Sequence, residues 1–210
     1  MHTISSAELI NFEKGIYDIF EVGELPFLIH MCGGNEKELI EIFEQISEED
    51  YVFSSHRSHY HYLLKGGDKD NLVQRIRNGQ SMFIFDKKLK FLTSSVLAGT
   101  CGIAAGVALS FSLRNMSNKV WCFLGDGAED QGHFYEAAKF VESLNLPCTF
   151  IIEDNDRSVT TNKEQRGSIA QISCFKCVKR YNYTSIYPHG GTGTKTWVKF
   201  KDEIVNKFKK

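Results

Sequence analysis

The chain has 210 residues, a formal net charge of −1 and 42% hydrophobic residues. This length fits one domain with a sizeable core, and a charge near zero favours neither nucleic acid nor a membrane surface. No stretch reaches the roughly 18 apolar residues of a membrane span, and the N-terminus lacks the apolar region of a signal peptide. Six cysteines without secretory features indicate reduced thiols, so we expect a cytoplasmic protein. Cys174 and Cys177 form a lone C-x-x-C pair without the second pair that a zinc knuckle needs.

The first half of the chain is predicted to be mostly helical. Ser5 and Glu8 have the spacing of a capping box and precede an apolar stripe, which predicts a helix over residues 5–20. A second stripe predicts a helix over residues 35–46, with Asn35 as its N-cap. "YVFSS" reads as a short strand, and Asp68 and Gly79 mark the start and end of a further helix.

The second half contains a strand, a helix and a strand in close succession. "KVWCFLGD" and "PCTFIIEDN" are continuous apolar runs, typical of strands that are buried on both faces, and the helix lies between them. This order predicts a right-handed crossover and a mostly parallel sheet. We therefore predict a single α/β domain over residues 1–210, with an N-terminal helical segment. The lysine-rich "KTWVKFKDEIVNKFKK" reads as a C-terminal surface helix that docks its apolar stripe, with membrane or nucleic-acid contact as the alternative.

Polar residues that could bind a metal ion follow both of these apolar strands. Gly125-Asp126-Gly127 follows the first strand, and Asn155 follows the second. Ligands bind at the carboxyl ends of parallel strands, and two glycines let the chain turn sharply and bring N–H groups close to a ligand. An aspartate beside a helix start that favours anions makes sense if Mg²⁺ or Ca²⁺ bridges it to phosphate oxygens. The alternative is an ordinary Gly-Asp-Gly turn without a site.

The segment "GDGAEDQGHFYEAAKFVESLNLPCTFIIEDND" resembles the thiamine diphosphate motif, which opens with Gly-Asp-Gly and closes with an Asn after a buried strand. "FLIHMCGGNEKEL", "DYVFSSHRSHYHYLLKGGD" and "SSVLAGTCGIAAGVAL" are similar, in the same order, to blocks of the alpha subunit of 2-oxo acid dehydrogenases. That family is related to the N-terminal cofactor domain of transketolase. The resemblance covers roughly residues 20–160 and implies a three-layer α-β-α sandwich of the thiamine diphosphate-binding type.

The resemblance also implies roles for individual residues. Asp126, Asn155 and the backbone carbonyl of Arg157 would bind the metal ion, and His30 and His59 would be catalytic, facing the thiazolium ring and the substrate. The implied cofactor-binding residues are His56, Arg57, Ser95, Leu97, Gly125, Asp126, Gly127, Ala128 and Asn155. For the two catalytic candidates the alternatives are a satisfied core histidine at His30 and a solvated loop at His59.

Two departures from the family pattern stand out: Phe83 replaces a histidine after Ser81-Met82, and Ser158 replaces a glycine. No segment resembles the pyrimidine-binding domain that supplies the family's activating glutamate. We therefore expect an alpha-like subunit acting on a 2-oxo acid and completed by a separate beta-like subunit in an αβ or α2β2 assembly. The alternatives are half of a split transketolase-like enzyme that moves a two-carbon ketol unit of a ketose, and an inactive cofactor-binding homologue. Neither nucleic acid nor a membrane is expected as a partner.

Overall fold

The structure is a computed structural model that describes residues 4–25, 29–159, 161–167 and 174–187. The predicted basic helix near the C-terminus lies outside these residues. Within the described part of the chain, every helix is too short or too polar to cross a membrane.

The described residues form eight helices and eight strands. The helices are α1 (Ser6–Glu21), α2 (Glu36–Phe43), α3 (His59–Leu64), α4 (Lys69–Arg77), α5 (Cys101–Leu113), α6 (Asp126–Glu129), α7 (Gly132–Ser143) and α8 (Lys163–Arg166). The strands are β1 (Tyr51–Ser54), β2 (Phe85–Asp86), β3 (Phe91–Thr93), β4 (Val120–Gly125), β5 (Cys148–Asp154), β6 (Arg157–Ser158), β7 (Thr161–Asn162) and β8 (Val178–Asn182).

Six of the strands form one sheet in the order β2-β3-β1-β4-β5-β8. All neighbours are parallel except β2 and β3, which confirms the predicted mostly parallel sheet. β4 and β5 are joined through α7 and lie side by side, from Val120 opposite Cys148 to Gly125 opposite Glu153. The carboxyl ends of the two strands therefore meet at one edge, as the sequence predicted. β6 and β7 form a separate antiparallel pair beyond β5.

The sheet separates two apolar layers, as expected for a three-layer sandwich. Because successive side chains of a strand point to opposite faces, Trp121 and Phe123 of β4 pack with the layer of α1 to α4. Cys122 and Leu124 pack with α5 and α7 on the other face. Burial on both faces explains why β4 and β5 are continuous apolar runs.

Local capping residues account for the starts of α1, α4 and α8. The capping box before α1 is confirmed: Glu8 N donates to Ser5 Oγ over 3.3 Å, and Ser5 N donates to the Glu8 carboxylate over 2.9 Å. The Asp68 carboxylate accepts from Asn71 N over 2.7 Å and caps α4. The prediction for Asn35 is wrong, because its side chain makes no capping hydrogen bond to α2. Instead its amide donates to Glu153 at the end of β5 over 3.1 Å, which supplies a donor to a buried carboxylate.

Candidate active site

An open pocket lies at the carboxyl ends of the parallel strands. The segments that follow β1, β3, β4, β5 and β8 all contribute to its wall, which is where an open parallel sheet binds ligands. Of the residues predicted to bind cofactor or metal, the pocket is lined by His56, Arg57, Leu97, Gly125, Gly127, Ala128, Asn155 and Arg157. Asp126 lies between two of these lining residues, and Ser95 lies between the lining residues Ser94 and Val96. The fold thus gathers, in one place, residues that are spread over a hundred positions of sequence.

Arg57 is a buried cation whose hydrogen bonding is incomplete. Only 9% of the residue is exposed, and Nη1 donates to the backbone carbonyl of Met31. Nε and Nη2 have no hydrogen-bond partner among the residues that the structure describes. Leaving buried donors of a charged group unpaired is costly, and a guanidinium presents them as a fork that fits phosphate or carboxylate oxygens. Arg57 therefore suits an anion in the pocket.

Asp126 is a buried carboxylate that is satisfied on one oxygen only. It is 1% exposed, and its Oδ2 accepts from Arg166 Nη2 over 2.8 Å. Its Oδ1 is buried and makes no hydrogen bond within the described ranges. Burial raises the pKa of the Asp126 carboxyl above its usual range, and the Arg166 guanidinium opposes that rise. A cation placed at Oδ1 would satisfy the remaining oxygen.

The two glycines beside Asp126 serve a purpose different from the predicted sharp turn. Gly125 has an extended backbone, with φ −79° and ψ 164°, and a Cβ added there would meet nothing within 4 Å. Gly127 has close neighbours instead, because an added Cβ would overlap the side chain of Ser158. Gly127 therefore lets β6 approach α6 closely, while Gly125 leaves the pocket wall open.

Asn155 and Arg157 lie where the chain leaves β5. The Asn155 amide oxygen accepts from Arg157 N over 3.1 Å, and its amide nitrogen donates to the Tyr183 hydroxyl over 3.4 Å. These two hydrogen bonds hold the Asn155 amide at the turn that follows β5.

Glu153 is a pocket-lining residue that the sequence analysis did not single out. Its Oε1 accepts from Asn35 and from the Tyr181 hydroxyl over 2.5 Å, and His61 Nε2 lies 3.2 Å from the same oxygen. His61 in turn is 2.6 Å from Ser54 Oγ through its Nδ1. The only sequence feature that could have indicated this residue is the acid at the end of a buried apolar run.

Neither predicted catalytic histidine is among the residues that line the pocket, and the two differ in their surroundings. The ring of His30 packs edge-on against His56 with centroids 4.3 Å apart, and His30 Nδ1 is buried without a partner in the described chain. Burial lowers the pKa of His30 to about 4, helped by the nearby charge of Arg57. His59 is fully buried and does not line the pocket: Nδ1 lies 3.0 Å from a Glu13 carboxylate oxygen, and Nε2 lies 2.9 Å from Ser81 Oγ. The alternative of a solvated loop at His59 is therefore wrong.

Comparisons with known proteins point to one family. The family model for the dehydrogenase E1 component matches residues 11–176. The chain is similar to the alpha subunit of acetoin:2,6-dichlorophenolindophenol oxidoreductase from Bacillus subtilis, with 30% identity over 79% of this chain and 53% of that protein. The Cupriavidus necator protein of the same name is 28% identical over 73% of this chain and 49% of its own length.

A third relative is the pyruvate dehydrogenase E1 component subunit alpha of Rickettsia bellii, which is 29% identical over 73% of this chain and 50% of its own length. The chain spans about half the length of these relatives. The family match covers well over half of the present sequence and includes every strand-end segment of the pocket before β8. The chain belongs to the dehydrogenase E1 component family.

Proposed function

We propose that this chain is the alpha-type subunit of a thiamine diphosphate-dependent enzyme that acts on a 2-oxo acid. The observation that carries the proposal is a pair of incompletely satisfied charged groups among the described residues: Arg57, which lines the strand-end pocket, and Asp126, which lies between the lining residues Gly125 and Gly127. A diphosphate with its divalent cation supplies what both lack, an anion for the guanidinium and a cation for the carboxylate. We also propose that residues 1–210 act as one cofactor domain in the cytoplasm, where the six free cysteines stay reduced.

The metal ion is proposed to be Mg²⁺, with Ca²⁺ as a substitute. Asp126 Oδ1, the Asn155 amide oxygen and the Arg157 carbonyl are oxygen donors of the kind that both ions accept. One carboxylate beside two neutral oxygens leaves the ion with a net positive charge, which favours phosphate oxygens as its further ligands. His56, Gly127 and Ala128 line the same wall and are proposed to contact the diphosphate. Ser95 and Leu97 are proposed to lie along the aminopyrimidine ring.

The chemistry of such a site divides between cofactor and protein. When bound, thiamine diphosphate supplies an electron sink for the bond broken beside the substrate carbonyl. The protein holds the anionic end, excludes water and moves protons. His30 is the stronger candidate for proton transfer because its ring is neutral near pH 7 and its Nδ1 is unpaired within the described residues. His59 is the weaker candidate for proton transfer, because its two ring nitrogens already have hydrogen-bond partners in Glu13 and Ser81.

A separate beta-like subunit is proposed to complete the active site, in an αβ or α2β2 assembly. The relatives are named as alpha subunits, and the family resemblance assigns the activating glutamate to a pyrimidine-binding domain. The exposed side chains of Val96 and Leu97 at the rim of the pocket give such a partner an apolar surface to cover.

Replacing Asp126 by alanine should abolish the Mg²⁺ dependence of thiamine diphosphate binding, because the carboxylate ligand is lost. Isothermal titration calorimetry with and without Mg²⁺ measures this, and circular dichroism checks that the variant is folded. Asp70→Ala, on the exposed face of α4, is the matched control and should bind like the wild type. Unchanged metal-dependent affinity in Asp126→Ala would refute the metal site.

Replacing Arg57 by glutamine should weaken thiamine diphosphate binding by about tenfold or more, since a charge-assisted hydrogen bond contributes about 1.5–3 kcal/mol. Thiamine without the diphosphate should bind the variant and the wild type equally. The control is Arg77→Gln, at an exposed arginine of α4. An equal loss for both ligands would mean that Arg57 does not contact the diphosphate.

Acidification should destabilise the wild type more than a His30→Gln variant. The pKa of His30 is about 4 in the folded chain and near 6.5 in the unfolded chain, so between these values the unfolded state binds more protons. Stability is therefore lost as the pH falls from 6.5 towards 4, and this group alone accounts for about 2 kcal/mol between pH 7 and pH 5. Urea unfolding of both proteins at pH 7 and at pH 5 tests this. An equal loss of unfolding free energy in the two proteins would contradict a His30 that is neutral in the folded chain.

The purified chain should show no turnover alone and should release CO₂ from a 2-oxo acid when a pyrimidine-domain partner is added. Pyruvate, branched 2-oxo acids and a ketose phosphate are compared with and without the partner chain. Turnover by the chain alone would contradict the need for a second subunit. Ketol transfer from the ketose without decarboxylation would establish the transketolase-like alternative instead.

A further inference from the structure

Arg166 makes three hydrogen bonds around the end of β4. Its Nη2 donates to Asp126 Oδ2 over 2.8 Å, its Nε donates to Asp130 Oδ2 over 3.0 Å, and its Nη1 donates to the carbonyl of Thr161 over 3.0 Å. Only 13% of the side chain is exposed. With all three nitrogens bonded, the guanidinium is fixed in one orientation against the Asp126 carboxylate.

Local structural features fix the course of the backbone that carries Arg166. The β6–β7 pair turns the chain back, with Arg157 opposite Asn162. Asn162 and Gln165 then form a reciprocal capping box that starts α8. Gly167, with φ 67°, ends α8 in the left-handed region, which favours glycine. These local features return the chain to the end of β4 and place Arg166 there.

The same short helix also contacts the end of the neighbouring strand. Lys163, at the first position of α8, pairs with Asp154, the last residue of β5. Arg180 of β8 pairs with Asp154 and with Glu129 of α6. α8 therefore links the ends of β4 and β5, the two strands whose following residues make up the proposed metal site.

The contact between Arg166 and Asp126 decides which carboxylate oxygen is available. Because Oδ2 is held by the guanidinium, the carboxylate cannot rotate to exchange its two oxygens. Oδ1 is left as the buried oxygen without a hydrogen bond in the described ranges. Partners that hold a ligating carboxylate in this way tune a metal site as much as the ligands do.

We propose that Arg166 is a positioning residue for the divalent cation, which fixes Asp126 so that Oδ1 faces the ion. This inference rests on the proposed function, since it assumes that Asp126 is the metal ligand. Mg²⁺ demands nearly ideal octahedral geometry, whereas Ca²⁺ accepts flexible and irregular coordination. A residue that sets the direction of a ligand oxygen therefore matters more for Mg²⁺ than for Ca²⁺.

The test is the affinity of the full chain for Mg²⁺ and for Ca²⁺, measured by calorimetry with thiamine diphosphate present. Arg166→Gln should weaken Mg²⁺ binding by about 10–100-fold, the usual effect of removing such a partner, and Ca²⁺ binding by clearly less. Arg166→Lys should recover part of the Mg²⁺ affinity, because an ammonium can still donate to Oδ2. Arg77→Gln is the control and should leave both affinities unchanged.

The outcomes are distinguishable. A lower ratio of Mg²⁺ to Ca²⁺ affinity in Arg166→Gln, at an unchanged melting temperature, supports positioning. Equal losses for both ions together with a lower melting temperature would show a purely structural role, and unchanged affinities would show no role; either result overturns the inference. If the wild-type chain binds neither ion, the proposed metal site fails and this inference fails with it.

Discussion

The cost of burying charge at the carboxyl ends of β4 and β5 governs the arrangement of the site. Asp126, Glu129 and Asp154 are all almost fully buried, and a buried carboxylate is tolerated only when it is paired and hydrogen-bonded. Their partners come from later in the chain, on α8 and β8, so the segment after β5 must fold back over the ends of both strands. Removing one cation would leave a buried carboxylate without its ion-pair partner. This cost explains why these cations and acids are linked by several ion pairs.

The alternation of side chains along β5 gives its last two acids different environments. Glu153 points to the face of α1 to α4, where it meets neutral donors from Asn35 and Tyr181 and the ring of His61. Asp154 points to the opposite face and pairs with two cations, Lys163 and Arg180. A shift of register by one residue would exchange these environments and leave both acids mismatched, so the polar ends of the strand specify the register as firmly as its apolar centre does.

Sequence reasoning recovered the features that depend on local pattern. Continuous apolar runs identified β4 and β5, and the spacing of Ser5 and Glu8 identified the start of α1. Features set by tertiary contact were missed, since no periodicity encodes a partner distant in sequence. The side chain of Asn35 serves Glu153 rather than its own helix, and Arg166 reaches Asp126 across forty positions. Gly125 and Gly127 line the pocket, but not because of the predicted sharp turn, since the space around a glycine is a property of the folded chain.

The pocket lining combines a buried charged group with exposed apolar side chains. Arg57 is 9% exposed and keeps two donors without a partner among the described residues, whereas Val96 and Leu97, the apolar rim, are 65% and 40% exposed. An inorganic anion would satisfy Arg57 and leave the apolar rim in water, and an apolar ligand would do the reverse. A molecule with an anionic tail and a ring system satisfies both features at once, and a partner chain that covers the rim would remove the remaining apolar surface from water. This combination supports a cofactor such as thiamine diphosphate more strongly than either feature does alone.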